Sequence, residues 1–440
     1  MNTRSVLAAV APMILLACSA SASPRVRAAA QAEYDSGLDE LFKHFHANPE
    51  LSFVEQETAA RIAKELRALG FEVTEGVGRT GVVAVMKNGR GPMVMMRADM
   101  DGLPVKERSG LDYASEAVQK NSEGQEFPVM HACGHDVHIT SLVGTARLMS
   151  RMKNKWSGTL MLVAQPAEEW KESGAKVMRE DKIWERFGQP DFALAFHVAA
   201  AIPAGRLYAA PTAAYSGVDS LDVIVPGIGA HGAAPHQGKD PVVIGAQIVV
   251  NLQTLVSREL SPREPGVVTV GVFRAGNKRN VIGEEARLEL TVRSDSPETR
   301  RKLLEGIERV AVNTGRAAGL PEDRLPRVEL NGTLPVTRND TELRNRLYGV
   351  WEKELGTEIF FDYDRQGMGG EDFPFFTQEP FIPSVYFQVG GTLPEWREAA
   401  DNGGPAVASH HSPLFKVAPE PAVTTGVSAT VVALLELLQR

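Results

Sequence analysis

Histidine, the commonest metal ligand and acid–base side chain in proteins, is unevenly distributed along this chain. All but one of the 10 histidines fall in tight groups. The densest group, His131-Ala-Cys-Gly-His135-Asp-Val-His138, also contains Cys133. A cysteine thiolate and a neutral imidazole that reach out from one loop are donors that suit zinc. The spacing therefore predicts a metal site, against the plainer interpretation of a capping loop with an incidental cysteine.

Two adjacent carboxylates, Glu168 and Glu169, follow a continuous apolar run at 159–164. Such a run is typical of a strand that is buried on both faces. Open α/β sheets bind their ligands beyond the carboxyl ends of such strands. Because adjacent residues point in different directions, one carboxylate can bind metal while the other faces the substrate as a base. The alternative is a solvated acidic turn.

Further polar side chains follow other predicted strands. His197 comes directly after the apolar run 192–196, and Asp99 and Asp101 follow the strand at 93–96. By the two-residue period of a strand, Asp99 and Asp101 face the same side, where they could orient a ligand imidazole or merely cap a turn. His411 lies in a polar segment further on. Each residue alone has a structural explanation, but sulfur, nitrogen and oxygen donors with one spare carboxylate together predict a metal-dependent hydrolase.

The elements that must position these residues form two α/β blocks separated by an insert. From residue 31 to about 212, strands and helices alternate as in a parallel or mixed sheet covered by helices. Between 216 and 330 the order becomes β-α-β-β-α-β, which is the ferredoxin-like unit. The chain then returns to helix, strand and helix. We therefore expect two catalytic segments, 23–215 and 331–440, and a separate domain at 216–330.

The first residues, 1–22, have the features of an export signal. Arg4 precedes a short apolar run, and Ala20-Ser21-Ala22 resembles a secretory cleavage site. The run Leu15-Leu16-Ala17-Cys18 also resembles a bacterial lipobox, in which Cys18 would carry lipid. The sequence therefore predicts an exported protein, periplasmic or secreted, that is attached to a membrane only if Cys18 is lipidated.

Composition excludes several other classes of protein. A length of 440 residues indicates two or three domains. The net charge of −8, with no basic run, argues against nucleic-acid binding by bulk electrostatics. The 2 cysteines cannot form a disulfide framework. Glycine-rich stretches lack the context of a dinucleotide fold or a Walker lysine, and no G-x-S-x-G elbow occurs.

A series of motifs, in order along the chain, resembles the M20 metallopeptidase family in its amidohydrolase branch, which includes hippurate, N-acyl-amino-acid and indole-acetyl-amino-acid hydrolases. The resemblance spans about residues 41–415. It implies an α/β fold with a zinc-aminopeptidase-like three-layer catalytic domain and an inserted ferredoxin-like α+β lid domain, through which the protein would form a homodimer. The motifs are His46-Ala-Asn-Pro-Glu-Leu-Ser-Phe53, Arg97-Ala-Asp-Met-Asp-Gly-Leu-Pro104, His131–His138, Gln165-Pro-Ala-Glu-Glu169, Gly229–His236, Asn280-Val-Ile282, Gly369-Gly-Glu-Asp-Phe373 and His411-Ser-Pro413.

The resemblance also implies a role for individual residues. Glu168 would be the general base, and His231 of the lid would hold the oxyanion, in relatives often across the dimer interface. Asn280 would contact the substrate. Because the free carboxylate of an acyl-amino acid needs a donor from the lid, Asn280 is the first candidate for that contact, and Arg279 and Arg293 are further candidates. One or two divalent ions are implied, zinc foremost, with manganese, cobalt or nickel as alternatives. The implied ligands are Cys133, His135, Glu169, His197 and His411, with Asp101 behind them and Asp99 standing where the broader family has a histidine.

These features predict hydrolysis of the amide bond of N-acyl amino acids. A dipeptidase or carboxypeptidase of the same family is the alternative, since sequence does not separate the substrates. A more distant alternative is an exported metal-binding protein without activity, against which the spare carboxylate of Glu168 argues. Two departures from the usual motifs lie near the expected cleft: Gly229-Ala230-His231 where Gly-Gly-His is usual, and Trp170-Lys-Glu-Ser173 where glycines are usual.

Overall fold

The computed structural model describes residues 23–121 and 123–439. The predicted signal segment 1–22, with Cys18 and both predicted processing sites, lies outside the described residues. The helices are α1 Ser23–Glu33, α2 Asp39–Ala47, α3 Gln56–Ala68, α4 His135–Arg151, α5 Gly174–Glu180, α6 Ile183–Phe187, α7 Pro241–Thr254, α8 Pro297–Ala317, α9 Thr341–Leu355, α10 Pro374–Thr377, α11 Pro394–Asp401 and α12 Pro419–Leu437.

The strands follow the same chain order. They are β1 Glu72–Val77, β2 Gly81–Asn88, β3 Met93–Asp99, β4 Val118–Lys120, β5 Glu126–Pro128, β6 Gly158–Gln165, β7 Phe192–Pro203, β8 Leu207–Tyr208, β9 Ala213–Tyr215, β10 Gly217–Pro226, β11 Ala230–His231, β12 Gly266–Ala275, β13 Val281–Ile282, β14 Glu285–Ser294, β15 Arg327–Leu334, β16 Thr337–Arg338 and β17 Ser384–Thr392.

The main sheet has 7 strands in the order β1-β2-β6-β3-β7-β17-β8. Its centre, β6-β3-β7-β17, is parallel, whereas β1, β2 and β8 pair antiparallel. The turn at 88–91 joins β2 to β3 in sequence only, because β6 lies between these two strands. The carboxyl ends of the parallel strands therefore meet at one edge, as the continuous apolar runs predicted.

Helices cover both faces of this sheet. On one face, α3, α4, α9 and α12 pack against side chains such as Val94 and Leu162. On the other, α5, α6 and α10 pack against Met95, Met161 and Ala195. Because alternate strand residues enter the two cores, the sheet is buried on both sides. The predicted three-layer α/β catalytic domain is confirmed.

The inserted domain has its own antiparallel sheet, in the order β12-β14-β10-β15, with α7 and α8 on one face. This order, with the β-α-β-β-α-β succession along the chain, confirms the ferredoxin-like lid. Helix α8 has a capped start, because Ser296 Oγ accepts the backbone N–H of Thr299 at 3.1 Å and Pro297 follows. Strand β15 continues to Leu334, so the predicted boundary at 330 falls inside it; the domain limits stay predictions.

Helix α12 is long and apolar enough to cross a membrane by length and composition. In the fold, however, 72% of its most apolar stretch is buried inside the protein. It packs against α4, α1 and α9, so its apolar composition is that of a core helix.

Candidate metal centre

A left-handed residue places two candidate ligands at one corner. Gly134 has φ +84° and immediately precedes the first residue of α4, His135. A side chain at Gly134 would meet Val198 Cγ1 at 2.4 Å, so only glycine fits against β7 here. The tight turn directs the side chains of Cys133 and His135 toward the same space at the edge of the main sheet.

The five predicted ligands lie together in two overlapping sets of donor atoms. Cys133, His135 and His197 form one set, and Cys133, Glu169 and His411 form the other, each with ligand atoms within 4.8 Å of one another. Cys133 Sγ lies 3.4 Å from His197 Nε2. His411 Nε2 lies 3.0 Å from Glu169 Oε1 without an aligned hydrogen bond. The sets share Cys133, so the arrangement offers two adjacent positions for cations.

The donor chemistry fits a divalent metal. The buried Nε2 atom of His135 has no hydrogen-bond partner among the described residues, while Nδ1 lies 2.9 Å from the carbonyl oxygen of Asp101. Burial raises the pKa of the Cys133 thiol well above its usual range, and the carboxylates of Glu169 and Glu168 add to that rise. A cation among these groups would pair the orphaned imidazole and favour the thiolate.

Asp99 and Asp101 lie next to the candidate ligand His135. Asp101 Oδ1 lies 3.3 Å from His135 Nδ1, and the two Asp101 oxygens accept the backbone N–H groups of Glu168 and Glu169, each at 3.1 Å. A carboxylate that holds a ligand imidazole fixes both its tautomer and its orientation. Asp99 Oδ2 lies 3.8 Å from His135 Nε2.

His138 belongs to the densest histidine group, yet both of its ring nitrogens have other partners. Nδ1 lies 2.5 Å from Asp99 Oδ1, and Nε2 accepts the backbone N–H of Val198 at 2.8 Å. His138 therefore fixes strand β7 one residue beyond the candidate ligand His197.

Glu168 lies at the edge of a cleft of about 440 Å³. Burial raises its pKa well above the usual range of a carboxyl group, and the neighbouring carboxylates of Glu169 and Glu371 reinforce that shift. Carboxylate oxygens of Glu168, Glu371 and Asp372 lie within 4.8 Å of one another. A carboxyl group with a high proton affinity beside a candidate metal site is suited to accept and return a proton.

The cleft also receives side chains from the lid and from neighbouring loops. Arg293 of β14 is half-buried and lines it, with Nε donating to Thr291 Oγ1 at 3.1 Å. Arg365 lines it too, but pairs with Asp295. Arg293 has no such carboxylate among the described ion pairs.

The structure does not bring His231 and Asn280 into this cleft. Both line a separate open cavity of about 1060 Å³ on the lid. They lie close together because β11 pairs with β13, which sets His231 opposite Val281, and because Asn280 O accepts the N–H of Gly232 at 2.9 Å. Both residues are exposed.

Sequence reasoning missed the charged network under the site. Arg97 is fully buried and donates to Asp99 at 2.7 Å, Glu371 at 2.8 Å and Asp372 at 3.0 Å. The signal was present: an arginine inside an apolar strand must find buried anionic partners. Its partners at 371 and 372 belong to the Gly369–Phe373 motif, which the resemblance included without a role.

Comparison with known proteins agrees with this geometry. The model of peptidase family M20/M25/M40 matches residues 95–401. The chain is 36% identical to a hippurate hydrolase of Campylobacter jejuni over 78% of this chain and 85% of that one. It is 31% identical to thermostable carboxypeptidase 2 of Saccharolobus solfataricus over 81% and 86%. A crystal structure of the Bacillus subtilis protein YxeP, described as a dinuclear metal-binding peptidase of family M20, is similar with a TM-score of 0.75 at 26% identity, over 92% of this chain and 99% of that one.

The chain therefore belongs to peptidase family M20/M25/M40. The predicted membership of its amidohydrolase branch is confirmed, and so is the predicted class of enzyme, a metal-dependent hydrolase that uses a divalent ion.

Proposed function

We propose that this protein hydrolyses N-acyl amino acids to a carboxylic acid and a free amino acid. The observation that carries the proposal is the pair of carboxylates after β6. Both carboxylates line the cleft and lie beside the imidazole of His135. Glu169 also belongs to a donor set with Cys133 and His411, whereas Glu168 also lies beside Glu371 and Asp372 and has a raised pKa. A metal-binding protein without activity has no use for that second carboxylate.

The similarity to a hippurate hydrolase supports an N-acyl amino acid as substrate, because hippurate is one. The similarity to a carboxypeptidase favours a second candidate, the cleavage of short peptides with a free carboxylate. Both substrates present an amide and a carboxylate, and the half-buried Arg293 suits that carboxylate. The two functions differ in the group on the acyl side of the amide.

We assign Cys133, His135, Glu169, His197 and His411 as the metal ligands. Nitrogen and sulfur donors with one carboxylate favour zinc over magnesium or calcium. Manganese, cobalt and nickel remain alternatives, because availability as well as affinity decides which metal occupies such a site. The two overlapping donor sets support two ions per subunit rather than one.

A divalent ion in this site would polarise the scissile carbonyl and lower the pKa of a water molecule. The carboxylate of Glu168 takes a proton from the attacking water and later gives it to the leaving nitrogen. Asp101 fixes the backbone of Glu168 and Glu169 by accepting both N–H groups. Burial, reinforced by the neighbouring carboxylates, raises the pKa of Glu168 and so favours this exchange.

The lid contributes the remaining groups. We propose that His231 stabilises the oxyanion and that Asn280 contacts the substrate, both in the cleft of a partner subunit. Their exposure on the lid, outside the cleft of their own chain, supports this arrangement. Helix α7 supports a homodimer through the lid, because Val243 is 53% and Val250 67% exposed on its outer face.

We further propose that the protein is exported, to the periplasm or beyond, by the signal in residues 1–22. Lipid on Cys18 would anchor it to a membrane, whereas cleavage after Ala22 would release it. Mass spectrometry of the mature N-terminus separates these two outcomes.

The test of the proposed function is the release of amino acid from matched substrates. Protein stripped by a chelator and reloaded with metal is given N-acetyl and N-benzoyl amino acids and dipeptides of the same amino acids. Release from the N-acyl substrates, restored only by metal, supports the proposal. Release from dipeptides alone would replace it with the peptidase function.

A further inference from the structure

Beyond the candidate ligands, the cleft has further cavities beside it. It shares the lining residues Ala200, Ala201 and His410 with a second cavity of about 520 Å³. That cavity in turn shares Ala406, Val407 and Ala408 with a third cavity of about 310 Å³. We call the second and third cavities together the side groove, which the shared lining residues place directly beside the cleft.

The side groove begins at the immediate neighbours of two candidate ligands. Strand β7 carries His197 and then supplies Ala200 and Ala201, whose small side chains leave the space open. His410 precedes the ligand His411, and its Nε2 accepts the N–H of Ala200 at 3.2 Å. The buried Nδ1 of His410 has no partner among the described residues. A group attached to the reacting amide therefore needs to pass only these residues to enter the side groove.

Helix α11 covers the side groove in an unusual way. None of the residues in Pro394–Asp401 is buried, although the preceding strand β17 is buried throughout. Helices in a folded protein normally bury their apolar face against a core. Here Trp396 and Ala399 line the third cavity, together with Leu414. Arg397, Ala400 and Asp401 of the same helix line the second cavity, so α11 presents apolar side chains to the third cavity and charged ones to the second.

The two cationic side chains at the side groove already have partners within the protein. Arg397 donates to the carbonyl oxygen of Ala201. Lys416 Nζ lies 5.0 Å from the centre of the Trp396 ring, the distance of a cation–π contact. The exposed carboxylate of Asp401 also lines the second cavity, and the rest of the groove is lined mostly by small or apolar residues. The groove therefore suits an uncharged apolar group, whereas the half-buried Arg293 in the cleft suits a carboxylate.

We propose that the side groove is the acyl subsite of the enzyme and that it takes a linear aliphatic chain. The substrate class is then N-acyl amino acids with an acyl chain well beyond acetyl. This inference rests on the proposed function. In the reaction the amide C–N bond breaks, the water oxygen joins the acyl carbon and its protons end on the acid and the amine, so the chain leaves as a free fatty acid.

The test uses the metal-loaded protein and the N-acetyl, N-hexanoyl and N-decanoyl derivatives of one amino acid. A buried methylene contributes up to about fourfold in affinity. Because the groove is partly open, we expect kcat/KM to be at least about tenfold higher for the decanoyl than for the acetyl substrate. An equal or lower value for the decanoyl substrate would overturn the inference.

Two variants test the location. Ala408 lies in the wall shared by both cavities, so Ala408→Phe should lower the decanoyl-to-acetyl ratio of kcat/KM about tenfold. Ala406→Phe in the same wall should act in the same direction, which guards against a folding defect in one variant. The matched control is Ala60→Phe, at an exposed position on α3, which should keep the wild-type ratio. Unchanged ratios in both groove variants would overturn the inference.

A second readout does not depend on turnover. Decanoate, but not acetate, should change the tryptophan fluorescence of the protein, and Trp396→Phe should abolish that change. Hydrolysis of N-acetyl substrates without any effect of chain length would refute the acyl subsite but leave the proposed function standing. Failure to hydrolyse any N-acyl amino acid would refute the proposed function, and this inference with it.

Discussion

Glu168 and Glu169 are adjacent in sequence but have different surroundings. Glu169 Oε1 lies 3.0 Å from His411, whereas Glu168 faces the carboxylates of Glu371 and Asp372. Asp101 accepts the backbone N–H groups of both residues and so holds their main chain in place. Their side chains can then point in different directions. Under the proposed function, the separate roles of Glu169 as metal ligand and Glu168 as base would follow from a single turn after β6.

Glu168→Gln should retain bound metal and lose turnover. The amide keeps the size of the side chain but cannot accept the proton, and loss of a general base costs on the order of 10²–10⁴ in rate. Metal content by mass spectrometry and kcat on the best substrate test this together. Glu172→Gln, an exposed carboxylate four residues on, is the control and should keep full activity. A Glu168→Gln enzyme with substantial turnover would remove Glu168 from the mechanism.

His46 is a buried imidazole between two carboxylates. Nδ1 lies 2.7 Å from Asp136, and Nε2 lies 3.0 Å from Glu107. Burial opposes its charge, but the hydrogen bonds to Asp136 and Glu107 outweigh burial and raise the pKa of His46 from 6.5 to about 9. Because the pKa of His46 is higher in the folded than in the unfolded protein, protonation of His46 stabilises the folded state fully below pH 6.5. This stabilisation is lost as the pH rises from 6.5 to 9.

Replacing His46 should therefore remove part of the pH dependence of the free energy of unfolding. Between pH 6.5 and 9 the free energy of unfolding should fall by on the order of 3 kcal/mol more in the wild type than in His46→Gln. Urea denaturation of chelator-treated protein measures this difference. His44→Gln, at an exposed position on the same helix, should follow the wild type. Parallel pH profiles for wild type and His46→Gln would contradict the assignment of the charge.

At the scale of elements, the geometry of the candidate metal centre depends on the loop that leads into α4. Gly134 is both left-handed and pressed against Val198. Gly134→Ala should lower stability by about 1–3 kcal/mol through backbone strain and steric clash. It should also weaken metal binding, because Cys133 and His135 flank it and Val198 follows His197.

Thermal unfolding and competition with a chelator test these two effects. The control is Gly205→Ala, since Gly205 has φ +80° but an added Cβ would meet no atom of the described residues within 4 Å. It should show the smaller cost of strain alone and unchanged metal affinity. If Gly134→Ala bound metal as tightly as Gly205→Ala, the loop at Gly134 would have no role in positioning the ligands.

The sequence predicted most elements because their signals are local. Continuous apolar runs identified β6 and β7, and Ser296-Pro297 marked the start of α8. The order of strands was not predictable in the same way, since nothing near the turn at 88–91 indicates that β6 lies between β2 and β3. Likewise the ligands could be predicted from motifs, but the partners of Arg97 come from residue 371 onward and only the fold brings them together.

At the scale of the whole molecule, His231 and Asn280 lie outside the cleft of their own chain, so under the proposed function one chain would not complete its own site. Under the proposed dimer, His231→Ala and Glu168→Gln should each be nearly inactive alone, the first by about 10²–10³ in kcat. Mixed dimers would contain one intact site. Co-expression of the two variants should restore up to about a quarter of wild-type activity, as random pairing of subunits gives.

Light scattering gives the matching physical measurement. The wild type should have the mass of a dimer, and Val250→Glu, on the exposed face of α7, should shift it toward the monomer. A monomeric wild type with full activity, or no recovery on co-expression, would show that His231 does not act across an interface.

Under the proposed function, the donors around Cys133 bind the metal on which amide hydrolysis depends. A titration of chelator-stripped protein with zinc, manganese, cobalt or nickel, following amino-acid release from an N-acyl amino acid, tests this dependence. We expect no release without metal and full activity at one or two equivalents per subunit, with no recovery in Glu168→Gln. Undiminished hydrolysis by stripped protein that contains no metal would show that the reaction does not depend on these donors.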